Sequence, residues 1–94
     1  MMASIAQNEN HWVVKGDILM DSANSLLLAS KNLNLADVAV IDFTHVGEVD
    51  TSAVSLMLVW KRRAVAENKQ IRFENMPKGL SSLVALYDVT ALIS

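Results

Sequence analysis

Apolar and polar residues first alternate, then run together, then fall at helical spacing, and each change marks an element. Residues 5–7 predict a short strand and the Asn-Glu-Asn run at 8–10 a turn. Residues 11–16 predict a second strand with Trp12 and Val14 on one face, so the two read as a hairpin that Gly16 and Asp17 end. Asp21 or Ser22 suits the N-cap of a helix carrying Leu26, Leu27, Leu28, Ala29 and Leu33, and Asn32, Asn34 and Asp37 close it. Residues 38–43 form a nearly unbroken apolar run, as in a central strand covered by helices on both faces. A short loop is expected over 44–49.

Asp50 is placed to cap the next helix, which runs over about 51–68 and is the longest element. Residues 71–74 alternate apolar and charged side chains, as a more exposed strand does. Pro77 fits the first turn of a last helix over 76–87, with Leu80, Leu83, Val84 and Tyr87 at helical spacing. Residues 89–93 leave room for one more helical turn. The order β-β-α-β-α-β-α predicts an α/β fold, a mixed sheet with helices packed on it through right-handed crossovers. No repeat, low-complexity segment or linker interrupts it.

Composition narrows the function. The 94 residues suit one domain over 1–94, and 52% apolar residues are enough for a core. That core is thin, so a partner surface can matter to stability. The net charge is −2, and no basic stripe points to nucleic acid. Cysteine is absent, which excludes disulfides, thiol catalysis and cysteine-based zinc sites. The start, from Met1 to Asn8, has neither the basic nor the apolar region of a secretory signal. No apolar run approaches the roughly 18 residues of a membrane span. These features together predict a soluble, intracellular chain.

Catalytic motifs are missing. His11 and His45 have no companion at metal-ligand spacing. Neither a dinucleotide-binding glycine fingerprint nor a P-loop occurs, and there is no nucleophile elbow. Asp42 and Asp50 could form a carboxylate pair, but a strand end and a helix cap account for them. The expectation is a chain without catalytic residues, cofactor or metal.

One constellation remains, Val49-Asp50-Thr51-Ser52-Ala53-Val54, at the start of the long helix. Backbone N–H groups there lack partners and the helix dipole is positive, so a phosphate on Thr51 or Ser52 would be stabilised. An ordinary capping sequence reads the same way. Downstream, residues 53–60 are apolar except Ser55, which wraps apolar side chains around the helix. Ala53, Val54, Met57, Ala64 and Val65 are assigned to the sheet. Leu56 and Val59 are assigned to the arc shared with Ser55, Arg62, Arg63 and Glu67, expected to face solvent unless the last helix or the tail covers it. Lys61 falls near the core arc in this phase. Apolar side chains rimmed by arginines suit a protein-binding face.

The element order, with Val40-Ile41-Asp42-Phe43 followed by Val46-Gly47-Glu48-Val49-Asp50-Thr51-Ser52-Ala53, resembles the STAS domain family over nearly the whole chain. Ala53 departs from the family pattern, where glycine is usual. Within the family the chain is most similar to the MlaB-like group, by its length, Thr51, the apolar helix after it, and the final Leu83-Val84-Ala85-Leu86-Tyr87-Asp88-Val89. The resemblance implies a non-enzymatic subunit that binds the cytoplasmic ATPase of an ABC transporter. Such a transporter moves phospholipid and maintains outer-membrane lipid asymmetry. Thr51, Ser52, Ser55, Leu56, Val59 and Arg63 would then meet the partner, and the chain would be held at the inner membrane without inserting. The family also offers an anti-sigma-factor antagonist, whose kinase partner phosphorylates Thr51 or Ser52. Self-association of the isolated domain is left open.

Overall fold

The computed structural model describes residues 3–93, so Met1, Met2 and Ser94 of the expected domain lie outside the described residues. The strands are β1 (Ser4–Asn8), β2 (His11–Ile18), β3 (Val38–Val49) and β4 (Gln70–Glu74). The helices are α1 (Met20–Ser30), α2 (Thr51–Ala66), α3 (Lys78–Leu86) and the single turn α4 (Thr90–Ile93). The strands form one sheet in the order β1-β2-β3-β4. β1 is antiparallel to β2, and β2, β3 and β4 are mutually parallel.

Two right-handed crossovers that step in the same direction across a sheet must place their helices on the same face. α1 and α2 accordingly pack side by side, and α2 also touches α3 and α4. The helix-facing side chains Trp12, Val14, Ile18, Ala39, Ile41, Phe43 and Ile71 are buried. This corrects the expectation of helices on both faces. On the other face Val40 alone of β3 is buried, with His11 and Arg72 as its cross-strand neighbours.

The expected loop at 44–49 is strand. β3 uses three residues where β2 uses two, once between Asp42 and His45 and again between Val46 and Val49. Each extra residue is a β-bulge that shifts the alternation by one. The shift puts Val46 opposite Gly16 and Val49 opposite Ile18, on the helix face. Gly16 sits at φ 91°, a backbone conformation that side-chain-bearing residues rarely adopt. β2 therefore continues through Gly16 to Ile18 rather than ending there. Asp42 braces the first bulge, accepting the Thr44 amide at 2.9 Å and hydroxyl at 2.6 Å.

The α1 cap also differs. Leu19 is the N-cap, and Asp21 and Ser22 lie inside the first turn. Ser22 still satisfies an orphan group, since its hydroxyl accepts the Leu19 amide at 2.9 Å. Pro77 caps α3 from just outside the helix.

A buried pair of tryptophans ties α2 to β2 and, through Ser30, to the end of α1. Trp12 and Trp60 meet edge to face, ring centroids 6.0 Å apart. Trp60 Nε1 donates to the buried Ser30 hydroxyl at 2.9 Å, and Ser30 donates on to the Leu27 carbonyl at 2.7 Å. Trp12 Nε1 donates to the Asn34 carbonyl at 3.1 Å, as the Gln7 side-chain amide does at 3.0 Å. Both indoles can be buried because each N–H finds an acceptor.

Candidate functional site

β3 delivers Asp50 to the start of α2. Asp50 Oδ1 accepts the Ser52 amide at 2.8 Å and also the Ser52 hydroxyl. Its Oδ2 accepts the amide of Met20, the first residue of α1, at 2.9 Å. One carboxylate thus serves the first turns of two helices, where unpaired N–H groups and the helix dipoles favour negative charge. The Ser52 hydroxyl holds the Asp50 carboxyl below the usual carboxylate range, partial desolvation opposes it, and the Ser52 and Met20 amides reinforce it.

This geometry separates the two hydroxyls. Thr51 is exposed. Ser52 is half-buried and its hydroxyl is engaged with Asp50.

From Thr51 an outward stripe runs the length of α2 through Ser55, Leu58, Arg62 and Val65, three or four residues apart on one face. Val65 is 67% exposed, which corrects its assignment to the sheet. Between Asp50 and Glu67 the helix carries no carboxylate. A groove of about 280 Å³ separates α2 from α1, with Met20, Leu27, Ser55, Leu56 and Val59 in its walls. A second, of about 380 Å³, lies between α2 and the end of α3, walled by Thr51, Ser55, Leu58, Tyr87 and Val89. Met20 is 80% exposed and Tyr87 52%.

The structure gathers Thr51, Ser52, Ser55 and Val59 around these grooves. Leu56 and Arg63 stand apart from the expectation. Leu56 is 4% exposed, because α1 lies against that arc of α2, so it is core with only an edge in the groove. Arg63 is bound into the fold. Its Nη1 and Nη2 donate to the Ser30 and Leu33 carbonyls at 2.9 and 2.6 Å. Its Nε pairs with Glu67 at 2.8 Å, and the guanidinium stacks 5.5 Å from the Trp12 ring centroid. It is a clamp on the C-terminal end of α1, where cations are favoured.

Met20, Leu58 and Tyr87 join the face without having been singled out. Leu58 had a signal, standing seven residues after Thr51 on the arc that also carries the polar Ser55 and Arg62. Met20 had none, since its place depends on the long-range bond to Asp50.

The carboxylates Asp42 and Asp50 have separate partners, Asp42 taking Thr44 and the Asn75 side chain at 3.1 Å. Among the described residues no group of three or more His, Asp or Glu side chains could hold a metal ion. No described helix is long and apolar enough to cross a membrane.

Comparison with known proteins agrees with this architecture. A search of curated proteins gave no match. The solved structure described as "Structure of the Anti-Sigma Factor Antagonist SpoIIAA in its Unphosphorylated Form" superposes with a TM-score of 0.60. That match has 12% identity and covers 93% of this chain and 82% of that one. Another, "Crystal Structure Analysis of Mglu", gives 0.59 at 18% identity over 80% of this chain, which spans only 20% of that protein's chain. At such identities these likenesses establish the fold. A family model described as "Mlab, STAS domain" matches residues 1–94, and the chain belongs to that STAS family.

Proposed function

We propose that this chain is a non-enzymatic STAS subunit that docks onto the cytoplasmic ATPase of an ABC transporter for phospholipid and supports its assembly and activity. It would thereby help maintain outer-membrane lipid asymmetry, and it would be held at the inner membrane through that ATPase. The observation that carries this reading is the exposed stripe led by Thr51, apolar and cationic without a carboxylate, with a groove on either side. Such a face suits a partner that presents apolar ridges and acidic rims. The full-length match to the Mlab-described family supports the choice of partner.

A second reading rests on the exposed Thr51 and the SpoIIAA-like fold. In it the chain is an anti-sigma-factor antagonist whose partner kinase phosphorylates Thr51 or Ser52. The engaged Ser52 hydroxyl favours Thr51 as the acceptor.

Affinity purification of the chain from its native cell extract, with bound proteins identified by mass spectrometry, tests both. An ABC ATPase recovered with its permease is expected. A small serine/threonine kinase in its place would support the second reading, and recovery of neither would remove both. Thr51→Ala is expected to weaken capture while leaving the fold intact.

A further inference from the structure

The free edge of β4 has a pattern that the α2 face does not use. Gln70 donates its amide inward, to Asp37 O at 2.9 Å. Backbone groups alternate along a strand, so the N–H and C=O of Ile71 and Phe73 point outward from the sheet. The register with β3 is unbroken from Gln70 to Glu74. Within those five residues there is no proline or bulge, and the only charges that could blunt the edge are one of each sign, Arg72 and Glu74. Beside the edge, on the helix side, an apolar groove of about 300 Å³ is walled by Ile71, Phe73, Met76, Val84 and Ile93.

We propose that this edge pairs with the β4 edge of a second copy of the chain, antiparallel and centred on Phe73, joining the two sheets into one. Charge selects both the partner and the register. Arg72 and Glu74 lie on the open face, where they pair with each other at 3.3 Å, and Arg72 is 68% exposed in its side chain, so both charges remain within reach of a second copy. In an antiparallel pair, residues whose backbone groups point at the partner exchange both hydrogen bonds. A twofold axis at Phe73 satisfies this rule for the Phe73 pair, since β4 ends at Glu74 and Asn75 turns away at φ 58°, and it sets Arg72 of each copy opposite Glu74 of the other, at the close, non-hydrogen-bonded positions. A twofold axis at Arg72 would instead oppose two arginines, which is destabilising. On the helix face the same register brings the two Phe73 rings together, each already stacked 5.9 Å from its own Phe43. The other edge, β1, carries no charged residue from Ser4 to Asn8 and offers no such selection.

One strand edge buries less than a standard interface, so the dimer is weak, with a dissociation constant on the order of 0.1 mM. Sedimentation equilibrium of the full chain, up to ~1 mM, measures it, and circular dichroism checks that each variant folds. Wild type is expected to dimerise. Arg72→Glu and Glu74→Arg should each weaken the dimer about tenfold or more, since each opposes like charges twice. The double exchange Arg72→Glu with Glu74→Arg should restore it. A wild-type chain that stays monomeric overturns the proposal. So does a dimer that both single variants leave unchanged, or a double exchange no better than the singles.

Discussion

Asp50 accepts the backbone amide of Met20, thirty positions earlier, at 2.9 Å with one carboxylate oxygen while the other caps its own helix. The contact makes the start of α1 depend on the start of α2. A lost N-cap costs about 1 kcal/mol in a single helix, with a range of about 0.5–2. Asp50→Ala uncaps α2 and also leaves the Met20 amide without its acceptor, so a loss of about 2 kcal/mol is expected. Urea unfolding measures it, and a loss below about 0.5 kcal/mol would mean that water replaces both bonds.

The same carboxylate makes stability depend on pH. Its folded pKa lies below the ordinary value, chiefly through the Ser52 hydroxyl. The unfolded chain therefore takes up the proton first, near pH 3.9. The contribution of Asp50 is present above that pH and fades as pH falls through the lower folded value. Ser52→Ala removes the largest cause. Its difference in stability from wild type should be greatest near neutrality and shrink below about pH 3. Melting temperatures of the two proteins between pH 7 and 2.5 check the sign.

Arg63 holds two carbonyls at the end of α1 and covers a tryptophan face. Hydrogen bonds to a charged group are worth about 1.5–3 kcal/mol each, and partial exposure of the guanidinium puts the two lost in Arg63→Ala at the low end, so a loss of about 3 kcal/mol is expected. Arg63→Lys should recover little, because an ammonium cannot span both carbonyls in one plane. If either variant instead loses the partner at unchanged stability, Arg63 belongs to the docking face.

Leu56 and Val65 exchange their expected places, and paired substitutions separate them. Leu56→Ala should cost about 2–4 kcal/mol, as buried leucines do. Val65→Lys, on the exposed side and with its charge suited to the last turn of α2, should stay within about 0.5 kcal/mol of wild type. Thr51→Glu should be neutral or slightly stabilising, since it adds negative charge at a helix N-terminus. Thermal melts of the three rank them directly.

Those two residues also mark how far the sequence could be read. Strand and helix order, the Asp50 cap and the exposed Thr51 follow from local pattern and capping chemistry. The phase of α2 did not, because residues 53–60 are apolar around the whole circumference and only the packing of α1 decides which side is inside. Leu56 turned inward and Val65 outward for that reason. Arg63 read as a surface cation, since its acceptors are carbonyls some thirty residues away. The strand over 44–49 was hidden by two bulges, which break the alternation that signals a strand.

Gly47 lies in the second of those bulges, and close approach explains the residue. A β-carbon built there would stand 2.5 Å from Asp17 Oδ1, the oxygen that accepts the Glu48 amide at 2.8 Å. Gly47→Ala must push the Asp17 side chain away and break that bond, at a cost of about 1–3 kcal/mol if the amide is left unpaired. Asp17→Ala removes the same bond without the clash. With Asp17 already gone, a further Gly47→Ala change should cost much less than it does in wild type. A double-mutant cycle read by urea unfolding gives the coupling, expected above about 0.5 kcal/mol. Additive losses would mean that the bulge bends elsewhere to admit the methyl group, and that Asp17 does not hold it.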